Sequence, residues 1–401
     1  CRYCEVMKIG IDARFYGPAG RGGLGRYTAE LIRALEMLDS ENDYVIFLRR
    51  ENFDQYVPAN NRFRKVLADF HWYSFSEQLL FPFVLLREKL DLVHFPHFNV
   101  PILYWRPFIV TVHDLILVRF PTLRATTLSP LWYRLKFLAY RFVIRNAIVR
   151  SSTLVTISKY TKQDILERYC VSPRKMVVTY EAASSMCRLL LYKDAERFFV
   201  SLNLLPVEPS NEKEGYSFHD ILKPYALYVG NAYPHKNLER LLLAFDAFPD
   251  TSAHLVLVGG DDYFYRRLKK YAKRRNMNRV VFAGVVSDEQ LDLLYRYARV
   301  SVFPSLYEGF GLPPLEAMAK GSPVIASRAT AFPEVLGDAA LFFDPLDVSA
   351  LRVALVSVWN DELLRMSLRQ RGFARATQFS WDRMASETLV VYQKHSALSS
   401  G

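Results

Sequence analysis

The chain has 401 residues, and its 52 basic and 41 acidic side chains leave a formal net charge of +11. This length predicts two domains, and 51% hydrophobic with 23% charged residues is a globular composition, which argues against a disordered chain. The basic excess favours an anionic partner, either a phosphorylated substrate or a membrane surface. No recognisable nucleic-acid-binding module accompanies it, so we expect no nucleic-acid partner.

Cysteine content and hydropathy argue against two further classes of protein. Four cysteines are too few for a disulfide scaffold, and the Cys1–Cys4 pair lacks a second pair to complete a metal site. The longest apolar run, 79–86, is far shorter than the roughly 20 residues that span a bilayer. Residues 1–6, before Met7, are expected to be an upstream extension without a signal peptide. We expect a cytoplasmic protein, either free or peripheral at the inner membrane face.

Apolar segments alternate with amphipathic segments through the first half of the chain. Helices are predicted near 24–38, 76–89, 131–149 and 159–168, between strands at 8–13, 44–48, 91–95, 108–112 and 153–157. This alternation predicts a parallel sheet covered on both faces.

The pattern is lost between about 180 and 223, a stretch interpreted as a connection, and then resumes. Further strands are predicted at 225–229, 254–258, 280–283, 300–303 and 324–326, with a capping box at Ser287 to Gln290 and final helices near 361–376 and 381–396. The predicted division is a first domain at 1–200, a linker at 201–222 and a second domain at 223–380, with the last helix packing back on the first domain. We therefore expect an α/β protein of two doubly wound, Rossmann-like domains that face each other across a cleft. Ligands of such sheets bind at the carboxyl ends of the strands.

The segment 305–321 carries the strongest functional signal. It follows an apolar strand and opens a short helix that Pro313 or Pro314 can begin. Glu308 falls in a glycine-rich turn, and Glu316 is predicted in the first turn of the helix, where N–H groups are unpaired and the dipole is positive. Each acid alone also suits an ordinary structural role. Together, a helix start that attracts phosphate and two acids that bind hydroxyls predict a nucleotide-sugar site.

A glycine-rich loop follows the first predicted strand. Gly20, Gly22 and Gly25 satisfy the dinucleotide-binding spacing GxGxxG, which raises an NAD-dependent oxidoreductase as one alternative. The loop begins too far from its strand, however, and the next strand ends in Arg49 and Arg50 instead of an acid that would bind ribose. The loop is suited to contact with an anionic group, or it is simply a turn.

Two further side chains stand where ligand-binding residues belong. His113 ends the strand at 108–112 and is suited either to binding a sugar hydroxyl or to a structural role. Lys236 stands at a helix start, where an ammonium group opposes the helix dipole. A lysine at that place indicates a bound anion such as a diphosphate, with an ordinary exposed lysine as the alternative.

Two segments combine basic and aromatic residues. The segment 131–149 holds Trp132 and Tyr133 among several arginines, and the run 266–275 is more densely basic. Basic amphipathic helices lie on anionic lipid, although many are solvated protein faces. A lipid surface is therefore one expected partner, through the first segment above all.

Taken together, these motifs resemble the retaining family-4 glycosyltransferases of GT-B fold, and within them the bacterial mannosyltransferase-B-like branch. The resemblance covers about residues 7–395. The segments that carry it are Gly22–Gly23, 111–115, 157–161, Tyr228 to Gly230 with Lys236–Asn237, 284–291, Glu308 with Glu316, and 331–345.

The resemblance implies a retaining hexosyltransferase of polysaccharide biosynthesis that needs no metal or other cofactor. The donor would be GDP-mannose or a UDP-sugar, bound by the second domain, and the acceptor a glycan or a lipid-linked glycan, bound by the first. A non-catalytic GT-B protein that binds nucleotide sugars is the alternative within the same fold. The resemblance assigns catalytic roles to His113, Glu308 and Lys236, and donor binding to Gly22, Gly23, Gly230, Asn231, Val285, Val286, Phe310, Gly311, Leu312 and Glu316.

The chain departs from the family pattern in two places. An arginine often follows the glycine equivalent to Gly230 or precedes the lysine, and this chain has Asn231 and His235 there. The missing charge would have to come from Arg26, Arg240 or a protonated His235. The usual glycine after the last strand of the first domain is also replaced, by the segment 181–183.

Overall fold

The computed structural model describes residues 6–17, 22–121, 129–183, 190–205 and 218–399. The chain divides into two compact units, a first unit of Cys1–Glu181 with Ser380–Gly401 and a second unit of Ala182–Phe379. Gly20 of the predicted fingerprint and residues 206–217 of the predicted linker lie outside the described residues.

The strands of the first unit form one parallel sheet. They are β1 (Lys8–Asp12), β2 (Asp43–Leu48), β3 (Phe63–Leu67), β4 (Leu92–Phe95), β5 (Phe108–Val112), β6 (Thr153–Thr156) and β7 (Met176–Val178). Their order across the sheet is β3-β2-β1-β4-β5-β6-β7. The chain changes direction across the sheet between β1 and β4, so the switch point of this sheet lies there.

Helices alternate with the strands of the first sheet along the chain. They are α1 (Gly23–Leu38), α2 (Phe75–Arg87), α3 (Ile116–Arg119), α4 (Pro130–Arg150) and α5 (Lys159–Arg168). The Ser74 side chain caps α2 by accepting a hydrogen bond from the Glu77 amide, as serine does at helix starts. Phe81 of α2 and Ile144 of α4 belong to one hydrophobic cluster, so these two helices pack on the same face of the sheet.

The second unit has its own parallel sheet. Its strands are β8 (Tyr225–Val229), β9 (His254–Val258), β10 (Val280–Gly284), β11 (Val300–Phe303), β12 (Val324–Ser327) and β13 (Ala340–Phe343). The order β10-β9-β8-β11-β12-β13 places the switch point between β8 and β11. Every residue of β11 and β12 is buried, as expected of central parallel strands with both faces covered.

Helices precede, connect and follow the strands of the second sheet. They are α6 (Tyr192–Ser201), α7 (Phe218–Ile221), α8 (Leu238–Asp246), α9 (Tyr263–Arg274), α10 (Asp288–Tyr297), α11 (Leu312–Ala319), α12 (Phe332–Leu336), α13 (Val348–Asn360) and α14 (Glu362–Ala376). The predicted capping box before α10 is confirmed, because Ser287 and Gln290 each bind the backbone of the other. Two sheets of parallel strands with helical crossovers confirm the predicted α/β class with two doubly wound domains.

The final helix, α15 (Trp381–Ser399), belongs to the first unit and packs against α1. The Tyr392 hydroxyl lies 2.6 Å from Nδ1 of the buried His94, whose Nε2 lies 2.8 Å from the Thr111 hydroxyl. This buried polar chain ties α15 to β4 and β5. Within the described parts of the chain, we find no helix with both the length and the apolar character needed to cross a membrane.

Several elements escaped the sequence interpretation. The stretch interpreted as a connection contains α6, whose buried Ala195, Phe198 and Phe199 have helical spacing. The strands β3, β7 and β13 were also missed. Each lies at an edge of its sheet, where short or charged segments such as Phe63–Leu67 lack the continuous apolar run of a central strand.

Candidate active site

The predicted donor-binding residues of the second unit follow the carboxyl ends of its strands. Gly230 and Asn231 follow β8, Val285 and Val286 follow β10, and the loop with Glu308 follows β11. All of these strands are parallel, so their carboxyl ends lie at one edge of the sheet. This is the edge at which doubly wound sheets bind ligands.

An ion pair joins the two strands at the switch point. Lys236 ends a short 3-10 turn after β8, and its Nζ lies 2.7 Å from Oε1 of Glu308, in the loop after β11. Both side chains are only 13% exposed. The Ser305 hydroxyl donates a second hydrogen bond, of 2.6 Å, to the same carboxylate oxygen. The structure thus brings together two of the three predicted catalytic residues.

The charges around this pair favour an ionised Glu308. Burial alone would raise the pKa of this carboxyl group, but the Lys236 ammonium, the neighbouring His235 and the hydrogen bonds from Lys236 and Ser305 hold its pKa below the usual value. Burial and the adjacent Lys236 lower the pKa of His235 to about 4. This pKa favours a neutral His235 at neutral pH, and the expectation that a protonated His235 replaces the missing arginine beside a diphosphate stays a prediction.

Backbone contacts fix the loop that carries Glu308. The Glu308 amide donates to the Thr330 hydroxyl at 2.8 Å, and that hydroxyl donates back to the Glu308 carbonyl at 2.9 Å. Thr330, after β12, adopts a φ of 50°, which is rare for a β-branched residue and is held here by this double contact. The Leu306 amide also donates to the His235 carbonyl at 2.7 Å. Loops after three neighbouring strands are thereby locked together.

Asn237 holds the start of α8 beside the ion pair. Its left-handed backbone conformation, with a φ of 62°, is one that asparagine tolerates better than most residues. Its side-chain amide donates to the Pro304 carbonyl at 3.0 Å and to the Pro345 carbonyl at 2.8 Å. Arg240 donates to the Asn237 side-chain oxygen at 2.8 Å. The sequence analysis used Asn237 only as a motif residue and missed this positioning role.

The start of α11 differs in one respect from the prediction. Gly311 precedes the helix with a φ of 103°, and a Cβ atom there would lie 2.6 Å from the Phe332 ring. Glu316 is the fifth helical residue, since α11 begins at Leu312, so its predicted place in the first turn is wrong. Pro313 lacks an N–H group, as does the proline after it, so the Leu312 amide is the main donor of this turn.

Two tyrosines that the sequence analysis missed shape the edge at β8 and β9. The Tyr228 hydroxyl donates to the Asn231 carbonyl at 2.7 Å, and the Tyr265 hydroxyl lies 2.8 Å from the Gly230 carbonyl. Gly230 has a φ of 149°, and a Cβ atom there would lie 2.7 Å from the Tyr228 hydroxyl. Only glycine fits at that position. Beyond β10, the Val285 side chain is 69% exposed, which leaves its apolar surface available to a ligand.

His113, the third predicted catalytic residue, lies in the first unit at the end of β5. Its Nε2 donates to the Pro96 carbonyl at 2.8 Å, and its Nδ1 lies 3.2 Å from Oε1 of Glu181. Burial would lower its pKa, but the Glu181 carboxylate reverses this effect and raises it. Both ring nitrogens therefore face acceptors, an arrangement that suits the protonated imidazole.

The glycine loop of the first unit leads directly into α1. The helix begins at Gly23, and Gly22 precedes it with a φ of 92°, a conformation that favours glycine. Among the described residues, a Cβ atom at either position would meet no other atom within 4 Å. Conformation, and not crowding, therefore explains the glycine at position 22.

A buried ionic cluster at the switch point of the first sheet was missed by the sequence analysis. Arg14 lies just past β1, and its guanidinium binds Asp12 through two contacts of 2.8 Å and Glu77 through one of 2.7 Å. Asn99, after β4, donates to Glu77 at 2.6 Å. The signal available in the sequence was an arginine directly beyond a strand of apolar residues. The cluster joins the segments after β1, β3 and β4.

The described part of the chain contains no group of three or more histidine, cysteine, aspartate or glutamate side chains arranged to hold a metal ion. The expectation that the reaction needs no metal or other cofactor stays a prediction.

Comparison with known proteins identifies the family. The sequence model described as Glycosyltransferase Family 4 matches residues 21–182, and the model described as Glycosyl transferases group 1 matches residues 217–375. The two matches account for most of the chain and fall one in each unit, apart from Ala182 at the boundary.

Relatives and solved structures agree with this result. The chain is 28% identical to O-antigen chain mannosyltransferase B of Escherichia coli, over 92% of this chain and 96% of that protein. It is 28% identical to O-antigen chain mannosyltransferase RfbU of Salmonella typhimurium, over 72% of this chain and 70% of that protein. The structure of sucrose-phosphate synthase from Thermosynechococcus elongatus superimposes with a TM-score of 0.76 at 20% identity, over 98% of this chain and all of that chain.

The oxidoreductase alternative is therefore wrong. The chain belongs to the family-4 glycosyltransferases of GT-B fold, and it is a glycosyltransferase.

Proposed function

We propose that this glycosyltransferase moves mannose from a nucleoside-diphosphate sugar to a glycan acceptor, with retention of the anomeric configuration. The two O-antigen mannosyltransferases named above support mannose as the sugar. The observation that carries the proposal is the buried Lys236–Glu308 pair at the switch point of the second sheet. A lysine held at that edge by a carboxylate is suited to meet a diphosphate.

The donor-binding roles follow from the positions of the side chains. The diphosphate would lie beside Lys236 and the amide groups at the start of α11, from Gly311 and Leu312. Glu316, which is buried in the next turn of α11, would bind the ribose hydroxyls. The exposed Val285, with Val286 beside it, would support the base.

The proposed chemistry depends on charge that develops at the leaving group. As the bond from the anomeric carbon to the diphosphate breaks, negative charge grows on the diphosphate and positive charge on the sugar ring. The Lys236 ammonium would stabilise the first charge, and fixed groups of this kind are commonly the largest catalytic contribution. The acceptor hydroxyl would attack from the face that the diphosphate leaves and pass its proton to the departing oxygen. Glu308 would position Lys236 and contact the donor sugar.

His113 keeps its proposed role as a partner of a sugar hydroxyl. Both of its ring nitrogens already have acceptors in the first unit, the Pro96 carbonyl and the Glu181 carboxylate. A sugar hydroxyl would therefore have to replace one of them. The Glu181 contact, the longer of the two at 3.2 Å, is the one that we expect to open.

The donor nucleotide and the acceptor remain part of the proposal. GDP-mannose is the proposed donor and a UDP-sugar the alternative. The acceptor would be a glycan, carried on a lipid or free, and a lipid-linked acceptor would bring a cytoplasmic enzyme to the inner face of a membrane.

The test is a transfer assay with a lipid-linked glycan and a panel of nucleotide sugars. We expect a mannosylated product from GDP-mannose alone, with the donor's anomeric configuration established by NMR coupling at the anomeric carbon. Transfer from UDP-sugars only would contradict the assigned donor, and an inverted product would contradict retention.

A further inference from the structure

Tyr73 stands between β3 and α2 in a backbone conformation that its side chain disfavours. Its φ of 60° lies in the left-handed region, which is rare for a bulky aromatic residue. The residue is 53% exposed, so burial of its ring offsets only part of the cost of this conformation. Strained residues of this kind persist where neighbouring groups hold them, and they concentrate at ligand-binding sites.

The buried ionic cluster of the first unit holds Tyr73 in this conformation. The Tyr73 amide donates to Oε2 of the fully buried Glu77 at 2.8 Å. The other carboxylate oxygen of Glu77 lies 2.7 Å from the Arg14 guanidinium and accepts a hydrogen bond of 2.6 Å from Asn99. Because donors occupy both oxygens, Glu77 is fixed in place. It therefore also fixes the Tyr73 backbone and the place at which the ring is presented.

The Tyr73 ring lies beside the loop that follows β4. Its centroid is 6.3 Å from that of the His97 ring and 6.5 Å from that of the Phe98 ring. Pro96, at the start of the same loop, accepts the hydrogen bond from Nε2 of His113. One short loop therefore contacts both Tyr73 and His113, the residue proposed above to bind a sugar hydroxyl.

These residues stand at the ligand-binding edge of the first sheet. Tyr73 follows β3, His97 follows β4 and His113 follows β5, and the strands of this sheet are parallel. Doubly wound sheets bind ligands at this carboxyl edge. An exposed aromatic ring there suits a carbohydrate, because the C–H groups on one face of a pyranose pack against the negative face of an aromatic ring. The sugar hydroxyls stay free for polar partners such as His113.

We propose that Tyr73 forms a subsite for the acceptor glycan, in which a pyranose ring of the acceptor stacks on the exposed Tyr73 ring. The proposal rests on the proposed function for the identity of this sugar as the acceptor, and it narrows the acceptor class. The acceptor is a glycan that already ends in a pyranose, and not a lipid phosphate without sugar. An earlier glycosyl transfer must therefore supply it.

Three single variants separate stacking from folding. Tyr73→Gly removes the ring and suits the left-handed backbone, so its stability should stay close to that of the unchanged protein. Tyr73→Phe keeps the aromatic face and removes only the hydroxyl group. Tyr192→Ala is the matched control, because Tyr192 of α6 in the second unit has the same exposure of 53%.

Saturation-transfer NMR on the full chain measures sugar binding without a donor, with the methyl pyranosides of mannose, glucose, galactose and N-acetylglucosamine as probes. At least one should bind the unchanged protein, with saturation concentrated on the C–H groups of one face. Binding should persist in Tyr73→Phe and Tyr192→Ala and be about tenfold weaker in Tyr73→Gly. Equal binding in Tyr73→Gly and Tyr192→Ala would overturn the proposal. So would a failure of all four pyranosides to bind the unchanged protein.

A transfer assay separates failure of this subsite from failure of the proposed function. With GDP-mannose and the pyranoside that binds, Tyr73→Gly should raise the KM for the acceptor about tenfold and leave the KM for the donor unchanged. An unchanged acceptor KM would contradict the subsite. Absence of transfer by the unchanged protein would contradict the proposed function, and the NMR result would still decide the subsite. A loss of GDP affinity in Tyr73→Gly would identify a nucleobase as the occupant and overturn the proposal.

Discussion

Lys236 and Glu308 form a nearly buried ion pair, in which the Lys236 ammonium helps to keep the Glu308 carboxyl group ionised by lowering its pKa. Replacing Glu308 by glutamine keeps an acceptor for Ser305 but removes the negative charge. We expect transfer to fall by about 10²–10³, because Glu308 no longer positions Lys236 or meets the donor sugar. Affinity for a nucleoside diphosphate should hold or rise, since Lys236 is no longer neutralised. Lys236→Met should lower both transfer and affinity.

Calorimetric titration with nucleoside diphosphate and a transfer assay measure the two effects on the same preparations. Far-ultraviolet circular dichroism serves as the control for folding. Full transfer by Glu308→Gln would refute its assignment. An equal loss of nucleotide affinity in the Glu308 and Lys236 variants would contradict separate roles for the two side chains.

His235 gives the second unit a pH-dependent stability. Its pKa is about 4 in the folded chain, against an ordinary value of 6.5, because of burial and the adjacent Lys236. The folded state thus binds this proton more weakly than the unfolded state, so stability is lost as pH falls from 6.5 towards 4. Between pH 7 and pH 5, the unchanged protein should therefore lose about 2 kcal/mol more of its free energy of unfolding than the variant His235→Gln does.

Urea unfolding at the two pH values measures this difference, and the exposed His71→Gln serves as the matched control. Other buried histidines, such as His94, contribute equally to the pH dependence of both proteins, so their effect cancels in the comparison. An identical pH dependence in His235→Gln and the unchanged protein would show that His235 is protonated normally.

The sequence was sufficient to predict which residues follow strand ends, but not how they contact each other. Glu308 and Lys236 were singled out separately, and their ion pair joins residues 72 positions apart, which no local pattern reveals. Thr330 and Tyr265 act through contacts with other loops, so only the fold shows their roles. The place of Glu316 was wrong by one turn because two adjacent prolines obscured where α11 begins.

At the level of elements, two adjacent glycines, Gly259 and Gly260, directly follow β9 and differ in the space available for a side chain. A Cβ atom on Gly259 would lie 2.3 Å from the Gly230 carbonyl oxygen and 2.4 Å from the Tyr265 ring. A Cβ atom on Gly260 would meet nothing within 4 Å. We expect Gly259→Ala to lower the free energy of unfolding by about 1–3 kcal/mol and Gly260→Ala to change it by less than about 0.5 kcal/mol.

Urea unfolding of the two variants provides the measurement, and each variant is the control for the other. Gly259→Ala should also weaken nucleotide binding, because the Gly230 carbonyl would have to move. Equal stability of the two variants would show that β8 and β9 are farther apart than the structure places them.

Element prediction succeeded for the central strands and missed three of the four edge strands, with β10 as the edge strand that was predicted. Segments such as 108–112 and 300–303 are apolar apart from Thr111 and Ser301 because both of their faces are buried, and both were predicted. β3 contains Arg64 and Lys65 in a strand of five residues, so its composition is that of a loop. The helix α6 was missed because it stands alone beside residues rich in proline and glycine.

At the scale of the whole molecule, the two-domain class followed from length and from two separate alternating series. The basic excess of the chain is spread over several helices, among them α4, α9 and α14. Two of the six cations of α9 pair with acids, Lys269 with Asp261 and Arg267 with Glu239.

Binding of a nucleoside diphosphate to the second unit is the central claim, and differential scanning fluorimetry with GDP, UDP, ADP and the corresponding monophosphates tests it most directly. One diphosphate, GDP in this proposal, should raise the melting temperature, and at about 100 times its Kd it should add about 2.7 kcal/mol of stability. Lys236→Met should abolish that rise. No response to any diphosphate, or the same response in Lys236→Met as in the unchanged protein, would contradict the claim.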